Sequence, residues 1–119
     1  MALKHIRLEL ARTKTKPDGD SGIGYEFAAP LTADGHLDPE GWKKDKDRCT
    51  VRRFARGEAD ETGLLVHGRG AHWAFSYAAG DDDDEPIFKF DRHRFTPGEY
   101  VSITEHDGET LPFKVVSVR

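Results

Sequence analysis

Residues 100–116 read YVSITEHDGETLPFKVV, and this stretch decides the fold. Apolar and polar side chains alternate on both sides of the tripeptide 106–108, which is typical of two strands that each bury one face. A type I turn followed by a left-handed Gly108 would make a three-residue hairpin loop with a bulge at the glycine. The stretch therefore predicts an antiparallel hairpin.

The length of the loop decides which side chains meet across this hairpin. A three-residue loop sets Ile103 opposite Leu111 and places both on the buried face. It also sets Val101 opposite Phe113 on that face. A two-residue loop would instead set Ile103 opposite Pro112, so we prefer the three-residue loop.

The same alternation recurs along the rest of the chain and makes about eight candidate strands. Those outside the hairpin are residues 5–10, 23–29, 50–56, 64–67, 72–77 and 87–91. Asp38 followed by Pro39 is typical of a helix N-terminus, and one short helix is expected there. We predict an all-β domain over residues 1–119, a small antiparallel β-barrel or sandwich of about seven to eight strands. A barrel is preferred because it leaves no strand edge exposed.

The sequence leaves two points open: which residues pair between the strands 64–67 and 72–77, and which face each side chain of the strand 50–56 lies on. A two-residue turn within residues 68–70 would set Val66 opposite Trp73 and Leu64 opposite Phe75. Whatever the length of this turn, Trp73, Phe75 and Tyr77 lie on the same face of their strand. In the strand 50–56, Val51 and Phe54 fall on opposite faces unless a bulge lies between them.

The composition is that of a polar, folded chain. Of 119 residues, 36% are hydrophobic and 34% charged, with a net charge of −4. Residues 1–14 contain no apolar run like that of a secretory signal, and no stretch approaches the roughly 20 apolar residues of a membrane span. We expect a cytoplasmic protein without a membrane partner. The single cysteine, Cys49, is expected to be a small buried hydrophobe.

Metal and cofactor binding find little support in the sequence. His67 and His72 could face each other across their hairpin, with a third zinc ligand supplied by Asp81–Asp84. No CxxC, HxH or HExxH motif accompanies them, and the aspartate run lacks the spacing of a calcium loop. We expect no metal and no cofactor.

A basic segment follows the predicted helix. Seven cations lie within residues 43–56 against two aspartates, a local net charge of +5. With Trp42, Phe54 and Trp73 nearby, this composition resembles that of a single-stranded nucleic-acid groove. The acidic balance of the whole chain argues against that reading, because nucleic-acid-binding domains are usually basic.

The stretch FTPGEYVSI at residues 95–103 resembles the F-x-P-G-x-Y/F-V-x-I entry into a barrel strand of ferredoxin-reductase-like flavoproteins. The resemblance covers nine residues and implies a turn followed by a barrel strand. The Arg-x-Tyr-Ser/Thr flavin signature of that family is missing, so the resemblance does not imply flavin binding. No nucleophile with an adjacent base is recognisable either.

These observations favour a non-enzymatic barrel that binds a protein partner or a small ligand through one face or mouth. The alternatives are a barrel that binds single-stranded nucleic acid and an enzyme whose site is assembled from distant residues. Tryptophan and arginine concentrate binding energy in interfaces, and histidine near a turn adds a polar contact. The candidate binding residues are Trp42, Arg52, Arg53, His72 and Trp73.

Overall fold

A closed antiparallel barrel forms in the computed structural model of the chain. The structure describes residues 3–67, 73–77, 94–105 and 108–119, and the backbone of residues 85–88. Within these ranges the strands are β1 (Lys4–Leu10), β2 (Asp20–Ala29), β3 (Thr50–Phe54), β4 (Glu61–His67), β5 (Trp73–Ser76), β6 (Glu85–Phe88), β7 (Tyr100–Thr104) and β8 (Thr110–Val118). Each strand pairs with the next, and β8 pairs with β1. The predicted all-β barrel is confirmed.

Aromatic and aliphatic side chains fill the interior of the barrel. The ring of Tyr25 lies 5.0 Å from that of Phe75 and 5.1 Å from that of Phe113. The ring of Phe27 lies 5.2 Å from Phe75 and 5.8 Å from Phe95. An eight-stranded barrel is just wide enough for side chains to fill it, and these contacts occupy its centre. The other buried members of the core are Ile6, Leu8, Leu10, Ala29, Leu37, Cys49, Val51, Leu65, Trp73, Tyr77, Val101, Ile103 and Val115.

The hairpin of β7 and β8 has the predicted register. Ile103 lies opposite Leu111, and Val101 lies opposite Phe113. Gly108 has a φ of 84°, as the left-handed position after a three-residue loop requires. Residues 106–107 lie outside the described part of the chain. The turn and barrel strand implied by the flavoprotein resemblance are also present, since Gly98 has a φ of 98° just before β7.

The register of β4 and β5, which the sequence left open, differs by one residue from that of a two-residue turn. Leu65 lies opposite Phe75 and His67 lies opposite Trp73. Leu65 and Phe75 are both fully buried, so this register places two large apolar side chains together inside the barrel. Trp73, Phe75 and Tyr77 do share the buried face, as predicted. The predicted turn lies outside the described residues.

Strand β3 is regular and contains no bulge between Val51 and Phe54. Val51 points into the barrel and Phe54 lies on the outer surface, apart from the interior core. The Phe54 ring is nevertheless only 9% exposed. Arg7 covers it with its guanidinium carbon 4.4 Å from the ring centre, and that of Arg52 lies 5.3 Å away. Cations placed over an aromatic face are attracted to it, which explains an apolar ring on the outer wall.

The predicted helix, α1 (Pro39–Asp45), begins at the expected cap. The Asp38 carboxylate accepts a hydrogen bond from the Glu40 backbone N–H at 3.1 Å. A short 3₁₀ turn, Lys46–Arg48, follows and leads into β3. Neither helical segment among the described residues has the length or apolar character needed to cross a bilayer.

The helix distinguishes the two ends of the barrel. Connections after even-numbered strands lie at one end of an up-and-down barrel, and those after odd-numbered strands lie at the other. We call the end that carries α1 and the connection 30–49 the helix end. The opposite end, which carries the connections 11–19, 55–60 and 105–109, is called the hairpin end.

Candidate functional site

Two of the predicted binding residues meet at the helix end. Trp42 projects from α1 and lies edge-on to the ring of Trp73, with 5.9 Å between their centres. Its indole N–H donates a hydrogen bond to the Leu65 carbonyl oxygen at 2.8 Å. Trp73 is 2% exposed. Both tryptophans therefore fasten the helix to the end of the barrel.

His67 completes this cluster, and sequence reasoning had weighed it only as a metal ligand. Its ring is stacked on Trp73, with ring centres 4.1 Å apart and planes inclined by 15°. The edge of Trp42 lies 5.8 Å away. Its Nε2 atom is buried and has no hydrogen-bond partner among the residues that the structure describes. His67 is opposite Trp73 rather than His72, a pairing that the sequence had left open; His72 itself lies outside the described residues.

Arg53 points into the barrel near the hairpin end, where it meets an acid from β7. Its Nε and Nη2 atoms donate to the two carboxylate oxygens of Glu105 at 3.1 and 3.2 Å. The Tyr25 hydroxyl donates to the same carboxylate at 2.7 Å. Burial opposes the charge on Arg53, but the hydrogen bonds and charge of Glu105 outweigh it and raise the pKa of the guanidinium. This group closes the hairpin end of the interior with a paired charge.

Arg52, the next residue, lies on the outer wall in a chain of alternating charges. We call this chain the ion ladder. Arg52 binds Glu26 and also donates to Asp60 at 2.7 Å. Arg7 continues the ladder, donating to Glu26 at 2.9 Å and to Glu9 at 2.7 Å. The hydrogen bonds that Arg52 donates to Asp60 and Glu26 raise the pKa of its guanidinium. Arg7 is likewise held between two carboxylates.

The four predicted binding residues that the structure describes therefore do not form one site; the fifth, His72, lies outside the described residues. Trp42 and Trp73 lie at the helix end, Arg53 lies inside near the hairpin end, and Arg52 lies on the wall between them. The basic segment is divided in the same way, because its four exposed helix-end cations are separated from the two strand arginines. These cations are Lys43, Lys44, Lys46 and Arg48. The aromatic rings expected to stack bases are used in internal packing or are covered by arginine.

A groove on the outside of the barrel lies beside Arg52. It has a volume of about 970 Å³ and crosses β8, β1, β2, β3 and β4. One side of the groove is the middle of the ion ladder. The other side is a row of outward-facing residues nearer the helix end, which we call the helix-end row: Arg119, His5, Ala28, Thr50 and Leu64.

The helix-end row is assembled by strand register. His5 lies opposite Ala28, and the backbones of His5 and Arg119 exchange two hydrogen bonds at 2.8 and 2.9 Å. Thr50 lies opposite Leu64 and one position beyond the Val51–Phe27 pair, which places it beside Ala28. Ala28 and Thr50, in the centre of the row, have small side chains, so the side of the groove is low at that point. Leu64 is 38% exposed at one end of the groove.

Sequence reasoning missed all five members of the helix-end row. The period-2 alternation of β1 and β2 marks His5 and Ala28 as outward-facing. The two-residue turn considered for residues 68–70 instead places Leu64 opposite Phe75, which is buried. These five residues form one row only because their five strands are neighbours in the barrel, and local sequence patterns do not show the order of the strands. Of the four predicted residues that the structure describes, Arg52 alone lines the groove.

Other reactive groups among the described residues are held in structural roles. Burial, together with the nearby Asp45 carboxylate, raises the pKa of the Cys49 thiol to about 11. The thiol donates to the Asp45 carbonyl oxygen at 3.4 Å. In the part of the chain that is described, no three His, Cys, Asp or Glu side chains are grouped to hold a metal ion. The Cys49 thiol is therefore not an activated nucleophile.

No protein-family model matches the chain, and no characterised protein or solved structure is significantly similar to it.

Proposed function

We propose that the barrel is a non-enzymatic binding module that holds a partner protein in the outer groove. The observation that carries the proposal is the groove itself, a depression of about 970 Å³ across five strands. It combines an exposed leucine with guanidinium groups, and arginine and apolar contacts are characteristic of the centres of protein interfaces.

The shape of the groove favours a protein over a small ligand. Small-molecule sites are concave and bury most of the ligand surface, whereas this groove is open along its length. The barrel interior is occupied by packed rings such as Tyr25, Phe75 and Phe113. At the hairpin end the Arg53–Glu105 pair lies across the interior. A partner that binds the outer wall needs none of this space.

The ion ladder supports the same proposal because it makes one side of the groove rigid. Arg52 and Arg7 are each held by two carboxylates, so their side chains are positioned before a partner arrives. Immobilising long side chains on binding costs about 0.5–1.5 kcal/mol each. Side chains that are already ordered avoid much of that cost.

The test compares proteins captured from a cell lysate by the wild-type chain and by two variants. Leu64→Asp places a charge in the groove, and Tyr100→Asp places the same charge at an exposed apolar position outside it. We expect a partner that is retained by the wild type and by Tyr100→Asp but lost with Leu64→Asp. A partner lost with Tyr100→Asp and retained with Leu64→Asp would contradict the proposal. Circular dichroism of both variants checks that they are folded.

A further inference from the structure

We infer that the outer groove holds an extended acidic segment of the partner, with its acid at the β8–β1 end and an apolar side chain at the β4 end. This inference rests on the proposed function and adds the chemistry and direction of the bound segment.

The length of the groove fixes the length of the segment. Neighbouring strands are about 4.8 Å apart, so the four intervals from β8 to β4 span about 19 Å along the curved wall of the barrel. An extended chain advances about 3.3 Å per residue, so about six residues cross the groove.

The cross-section of the groove favours an extended chain over a helix. A volume of about 970 Å³ spread over about 19 Å leaves a mean cross-section of about 50 Å². A helix with its side chains is about 10–12 Å in diameter and has a cross-section of at least about 80 Å². A single extended segment fits within the groove, whereas a helix would lay only one face in it.

The charges along the groove predict that the bound segment of the partner carries an acidic residue. Arg7 and Arg52 are already bound by the carboxylates of the ion ladder. At the β8–β1 end the exposed side chains of His5 and Arg119 have no acidic partner within the described residues. A carboxylate from the partner would receive hydrogen bonds from that guanidinium and imidazole.

The opposite end of the groove is apolar. Leu64 is 38% exposed there, and the neighbouring groove residues Thr50 and Thr62 carry no charge. From β1 to β4 is about 14 Å and from β8 to β4 is about 19 Å. The acid and the apolar side chain of the partner are therefore about four to six residues apart.

The test titrates defined peptides into isotopically labelled protein and follows the backbone amide signals by NMR, which detects weak binding. The probe is an octapeptide with Asp at its second position and Leu at its seventh in a Gly-Ser background; a second peptide has Lys in place of Asp. We expect the acidic peptide to shift the amides of Thr50, Leu64 and Arg119, with at least tenfold higher affinity than the lysine peptide.

Charge reversal distinguishes recognition of the acid from general attraction. Arg119→Glu should reverse the preference, so that the lysine peptide binds more tightly than the acidic one. Arg12→Glu makes the same charge change at an exposed position outside the groove and should leave the preference unchanged. An equal effect of the two substitutions would overturn the inference.

The outcomes separate this inference from the proposed function. If neither peptide shifts the groove amides while partner capture still depends on Leu64, the acidic segment is wrong and the binding module stands. If capture does not depend on Leu64, both fail. A single-stranded oligonucleotide that shifts the groove amides more strongly than the acidic peptide would overturn the inference in favour of nucleic acid.

Discussion

Replacing Glu105 with alanine should destabilise the barrel more than removing any surface acid of the ion ladder. The carboxylate of Glu105 accepts three hydrogen bonds, two from Arg53 and one from Tyr25. The side chains of Arg53 and Glu105 are only 15% and 11% exposed, so solvent screens the pair weakly. Alanine at position 105 would leave the guanidinium near the interior without this partner.

The size of the effect follows from this burial. Removing one member of a buried ion pair costs about 3–5 kcal/mol, and the position near the barrel end favours the lower value, about 3 kcal/mol. For a domain of this size, about 4 °C of melting temperature corresponds to each kcal/mol, so Tm should fall by about 12 °C. Unfolding in guanidinium chloride, monitored by tryptophan fluorescence, measures the free energy of unfolding. Thermal unfolding monitored by circular dichroism measures Tm.

Two further variants make the measurement decisive. Asp60→Ala breaks an ion pair whose side chains are 44% and 43% exposed, and it should cost less than about 1 kcal/mol. The double variant Arg53→Met, Glu105→Leu removes both charges and should recover about 2 kcal/mol of the loss. If Glu105→Ala costs no more than Asp60→Ala, the reasoning about the interior pair is refuted.

Three more predictions concern single residues. The backbone N–H of Gly22 and the Arg56 guanidinium lower the pKa of Asp20 from 3.8 to about 2. The contribution of Asp20 to stability is therefore present above pH 4 and is lost as the pH falls to 2. Asp20→Asn should flatten the pH dependence of Tm between pH 4 and pH 2. The Cys49 thiol, with a pKa of about 11, should react with a disulfide reagent at pH 8 only after denaturant is added, and fast reaction in the folded state would contradict its burial. Asp38→Ala removes the helix cap and should cost about 1 kcal/mol in urea denaturation, whereas Asp38→Asn should cost little.

The parts of the fold that the sequence predicted correctly depend on neighbours in the chain. The hairpin of β7 and β8 was predictable because Gly108 fixes the loop and the alternation on both sides fixes the faces. The β4–β5 pairing was not, because the connecting glycines allow several loop lengths. The buried pairing of Leu65 with Phe75 decides the register instead.

The candidate site depends on contacts between distant segments, and local patterns do not contain them. Arg52 and Arg53 are adjacent in sequence, yet one joins the outer ladder and the other enters the barrel. The partner of Arg53 is Glu105, 52 residues away. The groove depends on the order of five strands. His5 and Ala28 could therefore be assigned to the outer face from the sequence but not to one surface with Leu64, whose facing depends on the β4–β5 register.

The pairing of β1 with β8 has a consequence for how the chain folds. Ile6 lies opposite Val118, so the last ladder to form joins residues that are 112 positions apart. Loop closure over such distances slows folding, and all-β domains dominated by non-local pairs typically fold in milliseconds to seconds. During synthesis β1 leaves the ribosome long before its second neighbour exists. We expect one side of β1 to remain unpaired until β8 is made, when both ladders of that strand are completed.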